Sequence, residues 1–142
     1  MTRVQREPAA WKGYGSSRAW IVVAAAYVAI IFFVSSRPYL HAPGPEFDMK
    51  DKLAHATEYG ILGALLAVSL VRRTIRPLAV AFLLVVAIGA SIAAADEMFQ
   101  GTVPGRQRDV QDWLADVTGL AIGAAVVLVQ ARRGVRAKEG KR

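Results

Sequence analysis

Three short polar blocks hold the side chains able to do chemistry in this chain, and each stands at the edge of a long apolar run. The first reads Asp51-Lys52-Leu53-Ala54-His55-Ala56-Thr57-Glu58-Tyr59. Residues three or four apart share a helix face, so Asp51, His55 and Glu58 or Tyr59 stack over two turns, and Lys52, His55 and Tyr59 form an overlapping stripe. This spacing predicts His55 as a general acid or base oriented by Asp51 or Tyr59, with Lys52 binding an anion. A purely structural role competes for the flanking residues: Asp51 complements a helix dipole and Lys52 snorkels to an interface. For His55 the functional reading is the stronger one. An ionisable group inside an apolar run is costly unless it faces a polar interior with a partner.

The second block, Asp96-Glu97-Met98-Phe99-Gln100, closes the third apolar run. Acids at a helix C-terminus oppose the helix dipole, so something else must hold them there: a metal ion, a protonated substrate group, or Arg106 and Arg108 of the next connection. In the third block Asp109, Asp112, Asp116, Gly119 and Gly123 follow at steps of three, four, three and four, which is one face of one helix. Its upper part is acidic and its lower part glycine, so it predicts close helix packing beneath an acidic mouth. Asp109 also suits a helix N-cap, and Pro104-Gly105 a turn. Glu97, Asp112 and Asp116 are candidate oxygen ligands for Mg²⁺. Lys52, Gln100, Arg106 and Arg108 are candidate substrate-binding groups, the arginines offering a planar fork that suits phosphate.

The elements that must position these groups are set by hydropathy. Apolar runs cover residues 20–34, 53–71, 78–95 and 113–130, in a chain of 142 residues that is 54% hydrophobic. Its mean hydropathy is +0.33. At about 1.5 Å per residue such runs cover most or all of an apolar layer of about 30 Å, and they are apolar on both parities, which excludes barrel strands. The expected fold is an all-α integral membrane four-helix bundle. Residues 1–18 form a basic N-terminus, 19–131 the four-span domain and 132–142 a basic tail expected to fray and meet lipid electrostatically.

Positive charge sets the expected orientation. Thirteen of the eighteen Lys and Arg residues lie in the N-terminal segment, the Arg72-Arg73-Thr74-Ile75-Arg76-Pro77 turn and the tail, and five lie in or beside the other two connections. Both termini are therefore expected in the cytoplasm, with the first and third connections facing the outside of the plasma (inner) membrane. Nine of the eleven acidic residues and both histidines fall in or beside those two connections. The first run lacks a small-residue cleavage pattern at Ser35-Ser36-Arg37-Pro38, so it reads as a retained span. The net charge of +7 does not indicate nucleic-acid binding, because the basic residues flank apolar runs rather than form a stripe with interleaved aromatics. With no cysteine, disulfides, a thiol nucleophile and thiolate-ligated zinc are excluded. No glycine-rich phosphate loop, nucleophile elbow or His-Glu-x-x-His motif occurs.

Taken in order, the three blocks resemble the VanZ-like family of small bacterial membrane proteins. That family's pattern is Asp-Lys-x-x-His with a following Tyr, then Glu-x-x-Gln, then Arg-x-x-[Ser/Asp]-x-x-Asp-x-x-x-Asn-x-x-Gly. Here the matching residues are Asp51, Lys52, His55 and Tyr59; Glu97 and Gln100; and Arg106, Asp109, Asp112 and Gly119. Asp116 stands where the family commonly has Asn. The resemblance covers about residues 35–129 and implies a cell-envelope location and, for some members, low-level resistance to glycopeptides such as teicoplanin. It implies no settled reaction. Three functions follow as expectations: an enzyme acting at the outer leaflet on a phosphate-bearing lipid or lipid-linked cell-wall intermediate, a lipid binder or proton-coupled carrier, and an accessory partner of an envelope synthase. Under the last of these Tyr39 and Trp113 would be contact residues; otherwise they anchor at the membrane interface.

Overall fold

The computed structural model describes residues 16–38, 49–71 and 77–139. The N-terminal segment, most of the first connection including Tyr39, and the basic turn at 72–76 lie outside the described residues. Four helices make up the bundle: α1 (Ser17–Ser35), α2 (Lys50–Val71), α3 (Leu78–Gln100) and α4 (Val110–Glu139). All four are long and apolar enough to cross a membrane.

The distribution of side chains identifies the solvent. Val22 is 67% exposed and Leu83 65%, and Ile122, Phe33 and Ile30 also face outward, whereas Asp116 is 0% exposed and Asp96 1%. In water this arrangement would leave apolar surface solvated and charges buried, both unfavourable. In lipid it is the stable one, because the apolar exterior meets acyl chains and the polar groups find each other inside. The chain is a multi-pass membrane protein.

Each helix extends past the apolar run that predicted it. Helix α2 begins three residues before residue 53, and α3 continues through Asp96, Glu97 and Gln100, so those polar groups sit on its last turns. Helix α4 starts at Val110 and runs to Glu139, so the basic tail expected to fray is helical through most of its length. Local chemistry explains the ends. Ser16 Oγ accepts from the Ala19 N–H at 3.3 Å, capping α1. Extended Pro77 caps α3, where its missing N–H costs nothing. Pro104 and Gly105 form the expected turn, closed by Arg106 N–H to the Val103 carbonyl at 3.1 Å, with Gly105 at φ 80° as a type II turn requires.

Helices α2 and α4 form the tightest pair, and glycines make it possible. A Cβ added at Gly119 would fall on the Ala56 carbonyl, one at Gly123 on the Gly60 carbonyl, and one at Gly63 on the backbone of Leu120. The glycine half of the face predicted from spacing thus packs backbone to backbone. Lipid supplies no hydrophobic drive for helix association, so such van der Waals contact carries much of it. Helix α1 is added through the Tyr27 hydroxyl, which donates to the Glu58 carbonyl at 3.2 Å, and through Phe32, whose ring lies 5.8 Å from that of Phe99. Below the polar end, Ala67, Val68, Ala81, Val85, Ala124, Val127 and Leu128 close an apolar core.

Candidate functional site: a buried polar chamber at one end of the bundle

Alternating helix direction brings the C-terminal ends of α1 and α3 to the N-terminal ends of α2 and α4. The buried polar residues Ser35, Lys50, Asp96, Glu97, Gln100 and Asp116 all gather there, and among the described residues only Ser69 is a buried polar group towards the other end. Three connected layers can be distinguished.

The outermost layer fixes the start of α4. Asp109 Oδ1 accepts from the Gln111 N–H at 2.8 Å, and its carbonyl accepts from the N–H groups of Asp112 and Trp113, so Asp109 is the N-cap expected from its sequence position. The Gln111 N–H and then Lys52 hold the Asp109 carboxyl below the usual carboxylate range. Lys52 Nζ donates to Asp109 Oδ2 at 3.2 Å and to Asp112 Oδ1 at 3.1 Å, bridging α2 to the first turn of α4. The Asp109 N–H donates to Glu97 Oε2 at 3.0 Å. That bond gives Glu97 a backbone hydrogen-bond donor at a helix end where the dipole alone would disfavour it.

The middle layer is centred on His55. Its Nδ1 lies 3.0 Å from Asp116 Oδ1, and its Nε2 lies 4.0 Å from Asp112 Oδ2. With Asp116 as a carboxylate, Nδ1 carries the proton and donates it, which fixes the ring and turns Nε2 toward Asp112. Asp116 stands six residues into α4, about 9 Å below its start. The innermost layer joins α1 to α3: Ser35 Oγ donates to Asp96 Oδ2 at 3.0 Å, and Gln100 Nε2 donates to the same oxygen at 2.9 Å.

Two buried carboxylate oxygens in this chamber lack a hydrogen-bond partner, Glu97 Oε1 and Asp116 Oδ2, whereas Tyr59 and Asp96 are placed to bond each other. Tyr59 is fully buried and feels Asp96, Asp116 and Glu58 electrostatically. Buried polar atoms are normally paired, so two carboxylate oxygens left over side by side mark a place where a further polar partner fits. One donor atom each from His55, Glu97 and Asp116 lies within 4.8 Å of the others, so among the described residues these three form a group that could hold a metal ion. Beside them an open, mostly apolar cavity of about 230 Å³ lies between α3 and α4, with Ala94, Met98, Val110 and Trp113 in its walls and Glu97, Arg108 and Asp109 at its border.

The chamber thus unites most of the residues selected from sequence, with changed relationships. Lys52, His55, Tyr59, Glu97, Gln100, Asp112 and Asp116 converge. Asp51 is exposed, and the carboxylate on His55 Nδ1 belongs to Asp116 instead, because the face of α2 that carries His55 turns toward α4. Lys52 is engaged by two carboxylates. Of the three acids expected to bind Mg²⁺, Glu97 and Asp116 converge with His55, while Asp112 faces Lys52. Arg106 is half-buried and acts electrostatically on Glu58, whereas Arg108 lies exposed across Gly101 at the end of α3.

Ser35, Glu58 and Asp96 belong to the chamber but were not selected from sequence as site residues. The Asp96 and Gln100 spacing of four was a signal for one of them; Ser35 had none beyond its place at the end of a span. Trp113 is more than an interfacial anchor. Its indole N–H donates to the Ala90 carbonyl at 3.1 Å, tying α4 to α3. Trp113→Phe is therefore expected to lower stability by about 1 kcal/mol, the worth of one such bond, seen as a lower unfolding midpoint in detergent.

A membrane bundle of four spans with its ionisable groups drawn into one buried end defines a class of small polytopic proteins. The family model described as VanZ/LLP1 matches residues 14–131, which is most of the chain and includes every layer of the chamber. The chain belongs to the VanZ/LLP1 family. Comparison with curated proteins and with solved structures returns no match.

Proposed function

We propose that this protein is an envelope membrane enzyme whose polar chamber faces the outer side of the plasma membrane and acts on a phosphate-bearing lipid headgroup or lipid-linked cell-wall intermediate. The observation that carries the reading is the chamber itself: His55, held by Asp116 and beside the unpartnered buried oxygens of Glu97 and Asp116, next to an open, mostly apolar groove bordered by Arg108. Substrate phosphate is met by Arg108, exposed at the mouth, rather than by Lys52, whose charge is already matched by Asp109 and Asp112. The lipid tail remains in the bilayer against the apolar exterior while the headgroup enters at the membrane interface. Removal of a phosphate from such a lipid would alter the supply of cell-wall carriers, which links the reading to glycopeptide susceptibility.

The test is a screen of the purified protein for phosphate release from undecaprenyl-type lipid phosphates and glycerophospholipid phosphates. Turnover supports the proposal. Saturable binding without product favours a second reading, a lipid or proton binder, for which the buried Ser35, Asp96 and Gln100 network is the specific support, since intramembrane acids also serve as relays.

The orientation gives a separate prediction. A cysteine placed at Thr102, exposed in the third connection, should react in intact cells with a thiol reagent that cannot cross the membrane, and one at Pro77 should not. Reaction at Pro77 alone would place the chamber on the cytoplasmic side.

A further inference from the structure

We infer that His55, Glu97 and Asp116 bind one divalent transition-metal ion, of the Mn²⁺, Fe²⁺, Co²⁺ or Zn²⁺ class, and that His55 serves as a metal ligand in place of the general base read from its sequence context. The donors come from three helices: α2 gives an imidazole, α3 and α4 one carboxylate each. Their ligand atoms lie within 4.8 Å of one another. Ions of this class bind nitrogen and oxygen at about 2.0–2.2 Å, which sets neighbouring tetrahedral donors about 3.4 Å apart, so the widest pair closes by roughly an ångström, within reach of side-chain rotation, to share one ion.

A second observation points independently to a bound cation. Glu97 Oε1 and Asp116 Oδ2 are buried without a hydrogen-bond partner, in side chains that are 7% and 0% exposed as whole residues. Leaving two carboxylate oxygens uncompensated in a membrane interior is unfavourable, and a divalent ion between them removes the imbalance. Lys52 does not meet this need, since it is bonded to Asp109 and Asp112 on the outer layer. Those bonds also explain why Asp112 stands outside the ligand set.

The imidazole decides the type of ion. Mg²⁺ and Ca²⁺ prefer sites built wholly from oxygen, whereas imidazole suits first-row transition ions and zinc. The nitrogen that faces Asp116 is Nδ1, so it is the one that would share an ion with that carboxylate, the ion replacing the hydrogen bond between them. Three protein donors leave coordination positions for water or a substrate oxygen, as in catalytic rather than structural sites. Glu97 lines both this cluster and the cavity beside it, so those positions adjoin the space where a headgroup would enter. The functional consequence rests on the proposed enzyme reading; the binding of the ion does not.

The experiment uses the full chain purified in detergent, treated with chelator and exchanged into metal-free buffer. Metal content after reloading is measured by elemental analysis, and affinity by calorimetric titration with Mn²⁺, Co²⁺, Zn²⁺ and Mg²⁺. The expected result is one equivalent of a transition ion per chain, undisturbed by excess Mg²⁺, with a Co²⁺ absorption band in the visible range. His55→Ala and Glu97→Gln should each weaken binding by at least about 100-fold, since even the residues behind a ligand contribute up to that factor. Thr118→Ala, an exposed change on α4, should bind as wild type. Failure of wild-type protein to bind, binding unchanged by His55→Ala, or preference for Mg²⁺ would each overturn the inference, and the wild-type titration decides the matter even where a variant fails to fold. Stoichiometric metal without phosphate release leaves the ion in place and removes the enzyme reading. Phosphate release untouched by chelation does the opposite.

Discussion

Gly119→Leu is expected to remove most of the folded protein from the membrane, and even Gly119→Ala is expected to be severely destabilising. A methyl group at this position would fall on the Ala56 carbonyl, which belongs to helix backbone and cannot move aside as a flexible side chain could. Overpacking in a well-filled interior costs about 1–3 kcal/mol and more when backbone is displaced, a large share of the roughly 5–15 kcal/mol by which a folded domain is stable. Gly60→Ala provides the contrast. It lies on the same helix pair, but its added methyl would sit 3.5 Å from the Gly119 carbonyl, an ordinary contact. Alanine also favours helix by up to about 1 kcal/mol over glycine, so Gly60→Ala should be neutral or mildly stabilising. Thermal unfolding of the three variants in detergent checks the ordering; equal behaviour of Gly119→Ala and Gly60→Ala would show that α2 and α4 are not packed as described.

His55→Ala is expected to reduce activity by at least about 100-fold while leaving expression and membrane insertion normal, the scale set by loss of a positioned catalytic or ligating group. Removing the ring deletes the contact to Asp116 and the nitrogen donor of the chamber, but touches no helix-packing surface comparable to the glycine face. On the proposed function, Asp112→Asn should also abolish whatever envelope phenotype the protein confers, at normal abundance and by a different route. It takes one of two negative partners from Lys52 and frees that lysine to compete for the remaining carboxylates. Phenotype is read from glycopeptide susceptibility of cells dependent on the protein, with abundance measured in parallel. Full activity of both variants at normal abundance would reduce the chamber to a structural feature.

The contrast between Gly119→Leu and Asp112→Asn follows a division already visible along the fourth helix, where acids occupy the upper steps of one face and glycines the lower. Spacing alone placed Asp112, Asp116, Gly119 and Gly123 together, and they do share the face that meets α2. The number and kind of helices were equally plain, because runs of apolar residues long enough for a bilayer leave few alternatives. Which partners meet within the chamber was less legible. Helical periodicity relates Asp51 to His55 on the same helix but says nothing about which face turns toward a neighbour; that is fixed by the glycine contact of α2 with α4, and it gives His55 to Asp116. Ser35 could not be found from sequence, since its role depends on α1 ending beside α3. The helix ends were underestimated because polar residues satisfied inside the bundle resemble connection residues when only hydropathy is considered, as Asp96, Glu97 and Gln100 show on α3.

The claim that the polar chamber processes a phosphate-bearing lipid is tested most directly by following inorganic phosphate released from undecaprenyl-type lipid phosphate by purified wild-type protein, with His55→Ala and Thr118→Ala measured alongside. The expected result is continuous release, many equivalents per chain, by wild type and Thr118→Ala, and loss of at least about 100-fold in His55→Ala. Release at the same rate by His55→Ala, or none by folded wild-type protein across the lipid phosphates and glycerophospholipids, would contradict it.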